Sequence, residues 1–315
     1  MLHAMDAATQ RFLADMGRID DRIDRANREI TSGRRITQAS DAPGDVGAVL
    51  RLKSRVDMIE QCQTNLQQAK SETDTAEQSL ETAVSVMERV RQLAAQAVTE
   101  TETPEARQTI GVELRALRDQ MVSIAGTMSE GRYIFSGDDD QVAPYAVDDT
   151  QPNGVTAYAG APSTRQMLHP SGATFGIART AQEIFDNPAA SVFGAITALI
   201  RAVENGPTVA PGDPLYNGQY DAQTDAINAA LGSVGGAQDH LNAELSFYGT
   251  VQNRVSEAIN SAAALDTREK TELSRLQDAD IVQSITDLNQ AITHREAALN
   301  ARARMPNSSL FDYLG

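Results

Sequence analysis

Near the start of the chain the apolar residues fall at Phe12, Met16, Ile19, Ile23, Ala26 and Ile30, in alternating steps of four and three. Leu2 and Met5 carry the same rhythm back to the first residues. Such a rhythm traces one narrow face of an α-helix, the kind of seam that a coiled coil buries. The positions between are polar, and Asp21 and Asp24 stand four residues before Arg25 and Arg28. That spacing stabilises a solvated helix face. The pattern predicts a helix over residues 1 to about 30, with nothing adjacent in the chain to cover its seam.

TSGRRITQASDAPGD, residues 31–45, breaks the pattern with Gly33, Pro43 and Gly44, and reads as a turn-rich spoke. A second helix is predicted from Val46 to Val98. Val49, Leu52, Val56, Ile59, Leu66, Leu80, Val84, Met87, Ala94 and Val98 hold one register, which runs on through polar Gln63, Lys70, Thr73 and Glu77. At about 1.5 Å per residue this is a rod of roughly 80 Å. After a short break at ETETPEAR, Ile110, Leu114, Leu117, Met121, Ile124 and Met128 predict a third helix. So short a connection implies an antiparallel hairpin.

From Asp138 to about Thr180 the helical rhythm disappears, and Gly, Pro, Thr and Tyr rise. VTAYAG, the stretch from Thr164 to Leu168, and ATFGIAR read as short strands with turns. A modest helix is expected over Ala189–Glu204, closed by a loop, NGPTVAPGDPLYNG. The long helices then return. Ile227, Leu231, Val234, Leu241, Leu245, Tyr248, Val255 and Ile259 form one stripe; Leu273, Leu276, Ile281, Ile285, Leu288, Ile292 and Leu299 form another.

The expected fold is mainly α. Long coiled-coil-like helices from both termini pack antiparallel, with a small β-rich insert in the middle. The expected domains are residues 1–45 with 268–315 (terminal core and spoke), 46–137 with 221–267 (helical rod), and 138–220 (outer insert with a short helix). The first helix pairs most economically with the last. Phe12, Met16, Ile19, Ile23, Ile30, Ile281, Ile285, Leu288, Ile292 and Leu299 are then the expected assembly interface. One narrow seam on each of two terminal helices offsets little of the conformational entropy of ordering them. They are therefore expected to be largely disordered in a free monomer and to order when neighbouring subunits supply more surface.

Bulk composition narrows the function. Of 315 residues, 4% are aromatic and none is Trp, which is thin for a compact enzyme. A net charge of −16 argues against nucleic-acid binding, which needs clustered Lys and Arg. The single cysteine, Cys62, cannot form an internal disulfide and reads as a small hydrophobe in a helix. The start of the chain has no charged segment followed by an apolar core, so no cleavable signal peptide is expected. No run of about 18 apolar residues occurs, so no membrane span is expected.

Candidate chemistry is sparse. His3, His169, His240 and His294 lie in four different segments without spaced partners. Asp138, Asp139 and Asp140 lack the acid spacing, central Gly and closing Glu of a calcium loop. SVGGAQDH, residues 233–240, has no preceding strand and no following Lys-Ser or Lys-Thr, so it is no phosphate cradle; its glycines are expected to allow close helix approach. NSS at 307–309 fits a glycosylation sequon, a triplet too common to carry weight. Neither a catalytic constellation nor a cofactor site is expected.

ITSGRRITQASDAPGDVGAVLRLKSRV, residues 30–56, resembles the N-terminal signature of the bacterial flagellin family, on Ser32, Gly33, Arg35, Ile36 and Asp41. Thr37 stands where that family usually has Asn, and Ala42 where it has a second Asp. GRYIFSG, with Gly131, Tyr133, Phe135 and Gly137, is similar to the branch of the family that joins hook to filament. So are ELSRLQDADIVQSITDLNQ, residues 272–290, and SLFDYL, with Leu310 and Tyr313. The resemblance implies a structural protein of the flagellum, exported unfolded by the flagellar type III apparatus and found outside the cell. Its implied partners are copies of itself, the first hook-associated junction protein, flagellin and a cytoplasmic export chaperone. The alternatives are a filament flagellin and a membrane-active type III translocator. The latter favours a Lys/Arg-rich polar face, whereas these faces mix acid and base.

Overall fold

The computed structural model describes residues 7–98, 104–207, 209 and 212–304. In chain order the elements are α1 (Ala7–Ser32), α2 (Val46–Val98), α3 (Pro104–Ala125), β1 (Met128–Ser129), β2 (Arg132–Tyr133), β3 (Gln166–Leu168), β4 (Thr174–Gly176), α4 (Ala181–Phe185), α5 (Val192–Glu204), α6 (Tyr216–Gln277) and α7 (Ile281–Ala303). The architecture is mainly α, as the periodicity predicts. Strands among the described residues form two short antiparallel pairs, β1–β2 and β3–β4. The chain forms two compact units: Gln61–Ala263, and Met1–Glu60 with Ala264–Gly315.

The unit of residues 61–263 is built on seven-residue spacing. Leu66, Thr73, Leu80, Met87 and Ala94 on α2 are all buried, as are Ile227, Val234, Leu241, Tyr248, Val255 and Ala262 on α6. A seven-residue period keeps one helix face on its neighbour over many turns. Thr73 is tolerated in the seam because its hydroxyl donates to the Ala69 carbonyl at 2.9 Å. Leu114 and Met121 of α3 and Phe193, Ile196 and Leu199 of α5 join the same cluster. Arg89 on α2 meets Glu113 on α3 at 2.7 Å, as the expected hairpin requires.

In and around the insert the structure differs from expectation in four places. The VTAYAG stretch is not a strand: Val155 makes a single bridge to Val147. The third helix stops at Ala125, where Gly126 follows, so Met128 opens β1 instead of extending the helix. Glu130 and Gly131 both take positive φ, 50° and 78°, the backbone that a two-residue hairpin needs to match the strand twist. Tyr216, Asn217 and Gly218, read as loop, lie in the first turn of α6. Helix α4 was not foreseen. It is five residues long and is fixed by a capping box, in which Thr180 Oγ1 accepts from the Glu183 N–H at 3.2 Å and the Glu183 carboxylate accepts from the Thr180 N–H at 2.8 Å.

Gly235 and Gly236 do not allow a close helix approach, because a Cβ at either position would meet nothing within 4 Å. Gly137 does have a steric reason. Its φ is +69°, and a Cβ there would lie 1.8 Å from the Ala161 carbonyl oxygen.

Candidate assembly interface

In the unit formed by residues 1–60 and 264–315, α1 and α7 pack against each other in opposite directions. Ser284 donates to Glu29 at 2.8 Å, Arg295 meets Asp20 at 3.5 Å, and Arg302 donates to Thr9 Oγ1 at 3.0 Å. The Arg302 guanidinium also lies 5.8 Å from the centroid of the Phe12 ring. Asp280 caps α7 by accepting from the Gln283 N–H at 3.0 Å. The three polar contacts across the pair fix its register.

The expected interface residues divide into two groups. On α1, Phe12, Met16, Ile19, Ile23 and Ile30 are half-buried, and Ala26 is fully buried. On α7 the buried positions are Ser284 and Ala291, with Leu288 and Ala298 half-buried. The larger side chains stand in solvent: Ile281 is 39% exposed, Ile285 45%, Ile292 39% and Leu299 48%. Val282, at 76%, and Leu13 of α1, at 49%, are exposed as well. At about 100° per residue, the small-residue seam and the Ile281–Ile285–Ile292–Leu299 line lie roughly a quarter-turn apart on α7. Leu288 sits between them. Helix α7 therefore presents a narrow polar-and-small face to α1 and keeps its broad apolar face uncovered. Sequence periodicity marked the second face and missed the first, since Ser carries no hydrophobic signal and Ala only a weak one.

Next to the helix pair, the signature residues form a clasp. Gly33, at φ +68°, ends α1, and its carbonyl accepts from the Ala279 N–H at 3.0 Å. The Arg35 N–H donates to the Gln277 carbonyl at 2.7 Å, and the Arg35 guanidinium to the Leu276 carbonyl at 2.9 Å. Buried Gln277 returns a bond from its side-chain amide to the Ile36 carbonyl at 3.2 Å, and Ile36 itself is buried. The Ser32 hydroxyl donates to the Arg28 carbonyl at 2.6 Å.

Asp41 organises the turn that follows. One of its oxygens accepts from the Thr37 N–H at 3.0 Å, the Thr37 hydroxyl at 2.9 Å and the Gln38 N–H at 2.9 Å. The backbone donors at Gln38 and Thr37 hold its carboxyl well below the usual carboxylate range. Arg35 pairs with Asp45 at 3.3 Å across the same turn. Thr37 thus donates where the resemblance would place Asn.

The remaining signature residues lie in the other unit. Gly131 forms the β1–β2 turn, and Tyr133 is half-buried in β2. Phe135 is fully buried, with edge contacts to Phe185 at 5.9 Å and Tyr248 at 6.3 Å between centroids. Leu310 and Tyr313 lie outside the described residues, as do His3 and the NSS triplet. Of the other histidines, His169 Nδ1 lies 2.7 Å from the Ser171 hydroxyl and His240 Nε2 lies 2.9 Å from the Glu183 carbonyl. Cys62 is half-buried, its sulfur 3.8 Å from the Leu168 carbonyl, and burial pushes its thiol pKa up. Among the described residues no three His, Cys, Asp or Glu side chains gather where they could hold a metal ion, and no helix is long and apolar enough to cross a membrane.

Comparison with known proteins agrees with this geometry. Residues 5–140 match the bacterial flagellin N-terminal helical region, and residues 231–314 match the bacterial flagellin C-terminal helical region. Flagellin FlaB1 of Treponema pallidum is 22% identical over 95% of this chain and 94% of its own length. Flagellar hook-associated protein 3 of Escherichia coli is 24% identical over 90% of this chain and 90% of its own. Among solved structures, flagellar hook associated protein-3 from Legionella pneumophila superposes with a TM-score of 0.63 at 18% identity, over 72% of this chain and 98% of that one. With both terminal helical regions matched and the two ends of the chain paired as α1 and α7, this protein belongs to the bacterial flagellin family of structural flagellar proteins.

Proposed function

We propose that the chain is a hook–filament junction subunit, a non-enzymatic adaptor that joins the hook-associated layer to the flagellin filament by subunit packing. The observation that carries the assembly role is the uncovered apolar line Ile281–Ile285–Ile292–Leu299. An exposed seam of this kind at the paired termini marks a surface for protein association. Neighbouring copies cover it, and the terminal helices become the inner wall of a tube. In this reading residues 1–45 with 268–315 form the inner layer, 46–137 with 221–267 the surrounding rods, and 138–220 the outward insert.

The junction placement within the family is supported by GRYIFSG, whose Phe135 is locked into the core, and by the fold-level likeness to solved hook-associated proteins. Its partners are then copies of itself, the first hook-associated junction protein on one side and flagellin on the other. Export runs unfolded through the flagellar type III apparatus to the cell exterior, with a cytoplasmic chaperone bound near the C-terminal end beforehand.

Immuno-labelling of intact flagella tests the placement. Label confined to the filament base supports the junction role. Label along the whole length supports the second reading, a filament flagellin, which the 22% identity to Flagellin FlaB1 over nearly the full chain favours.

A further inference from the structure

A cavity of about 660 Å³ lies in the unit of residues 61–263, between the insert and α6. Its wall includes Tyr158, Ser163, Arg179, Gln182, Phe247 and Arg254. That volume falls in the range of ligand and side-chain receptor pockets.

At one side of the cavity Arg179, Glu183 and Glu244 pair by charge, while the buried Arg179 Nε and Glu244 Oε2 have no hydrogen-bond partner. Arg179 stacks over the Phe247 ring at 4.6 Å from its centroid and pairs with Glu183 at 3.4 Å and Glu244 at 3.7 Å. Glu183 is further held by the Thr180 N–H at 2.8 Å and the Thr180 hydroxyl at 3.0 Å. Arg254 is different. It is exposed at the cavity wall and has no carboxylate partner among the described residues. The Ser163 hydroxyl is also buried in the wall without a hydrogen-bond partner. The open functionality therefore includes the Arg254 guanidinium and the Ser163 hydroxyl, with the Arg179 Nε donor, beside apolar carbon from Phe247, Tyr158 and Pro162. A carboxylate on a short aliphatic stem suits the guanidinium, which binds it through paired N–H donors.

The chain itself carries such groups in excess, with 43 acidic against 27 basic residues. Two acidic copies brought side by side approach more readily where an unpaired cation on one receives an acid from the next. We propose that this cavity receives an Asp or Glu side chain from a second copy of the chain, with Arg254 as the residue that selects it. The idea rests on the packing of copies in the assembled flagellum, and it does not depend on whether they sit at the junction or along the filament.

The test places a photo-crosslinking amino acid at Gln182, an exposed position on the cavity wall, and irradiates intact flagella. A band of twice the chain's mass is expected, with mass spectrometry placing the crosslink on an Asp- or Glu-containing peptide. In the same background, Arg254→Glu should lower the yield about tenfold and Arg254→Lys about threefold or less, in keeping with loss or retention of one charge pair. Melting of the Arg254→Glu monomer should be unchanged, because the side chain is exposed. Crosslinks confined to one copy, crosslinks to a different protein, absence of any crosslink, or a yield indifferent to Arg254→Glu would each overturn the assignment. Base-only against full-length labelling decides the junction reading separately.

Discussion

Ser284 on α7 donates its hydroxyl to the Glu29 carboxylate on α1 at 2.8 Å, joining residues 255 positions apart in the chain. The pair stands where the α1–α7 seam meets the clasp of residues 33–36 with 276–279. Ser284 is 2% exposed and Ala291, two turns on, is fully buried. Their small size lets α1 come close, and that approach leaves the larger α7 side chains pointing elsewhere. One choice of seam residues thus both pairs the termini and prepares a surface for neighbours.

Enlarging the seam should separate the pair. Ala291→Leu forces extra methylenes into a closed site, at about 1–3 kcal/mol. Ser284→Ala removes one buried hydrogen bond, at about 1 kcal/mol. In assembled flagella, where the pair is ordered, amide exchange along α7 should accelerate in both variants, more in Ala291→Leu. Unchanged protection in Ala291→Leu would mean that α7 does not rest on α1 through this face.

The uncovered line responds differently. Ile285 is 45% exposed, so Ile285→Asp should change the melting of the monomer by no more than about 0.5 kcal/mol. Incorporation into flagella should nevertheless be abolished, because a carboxylate would be buried without a partner once copies pack. Swimming assays and blots of sheared flagella read the second effect, and differential scanning fluorimetry the first. Normal incorporation of Ile285→Asp would remove α7 from the assembly interface.

The same exposure predicts what happens on dilution. The α1–α7 pair buries mostly small or half-covered side chains, so its helices should fray in a dilute monomer while α2, α3 and α6 persist. Far-ultraviolet circular dichroism of the full chain against a form lacking residues 1–30 and 281–315 should then show little loss of helical signal at low micromolar concentration. A loss matching two complete helices would show that the pair is stable by itself.

The long helices were legible because seven-residue spacing writes itself directly into the order of apolar residues. Leu66, Leu80 and Met87, and Ile227, Val234 and Leu241, were all expected in the core and are buried there. What periodicity could not show is which of two neighbouring faces a helix turns inward. On α7 the buried face is made of Ser284 and Ala291, one polar and one small, which the larger apolar residues beside them outweigh in the pattern. The clasp was opaque for a related reason: its bonds run from backbone groups of residues 33–36 to residues 276–279, and backbone donors leave no mark in a sequence. Helix α4 depends on a capping box at Thr180 and Glu183 instead of a stripe, and five residues are too few for a period. The signature glycines reach their meaning only through φ and surroundings.

Gly137 and Gly131 separate those two causes. Both have positive φ, +69° and +78°, but a Cβ at Gly137 meets the Ala161 carbonyl oxygen at 1.8 Å while one at Gly131 meets nothing within 4 Å. Gly131→Ala should therefore lose only the backbone preference, about 1 kcal/mol. Gly137→Ala adds a backbone collision that no side-chain rotation relieves, and should cost about 3 kcal/mol or more. Denaturant melts of the two variants should differ clearly in midpoint; equal midpoints would mean that the 137–161 contact is not maintained in solution.

The turn at Asp41 should respond to acid in one direction only. Its carboxylate accepts from the Thr37 and Gln38 N–H groups, which hold its folded pKa below the ordinary value of about 3.9. A group whose pKa is lowered by folding contributes its full stabilisation above the unfolded value, and loses it as pH falls through and below that value. Protection of the Thr37 and Gln38 amides, corrected for intrinsic exchange, should be flat from pH 8 to about pH 5 and should decline below about pH 4. Asp41→Asn can still accept from these donors with a neutral oxygen, so it should protect them weakly and without the acid-dependent decline. Asp41→Ala should leave both amides unprotected at every pH. Protection that falls between pH 8 and pH 6, or that survives in Asp41→Ala, would show that Asp41 does not hold this turn.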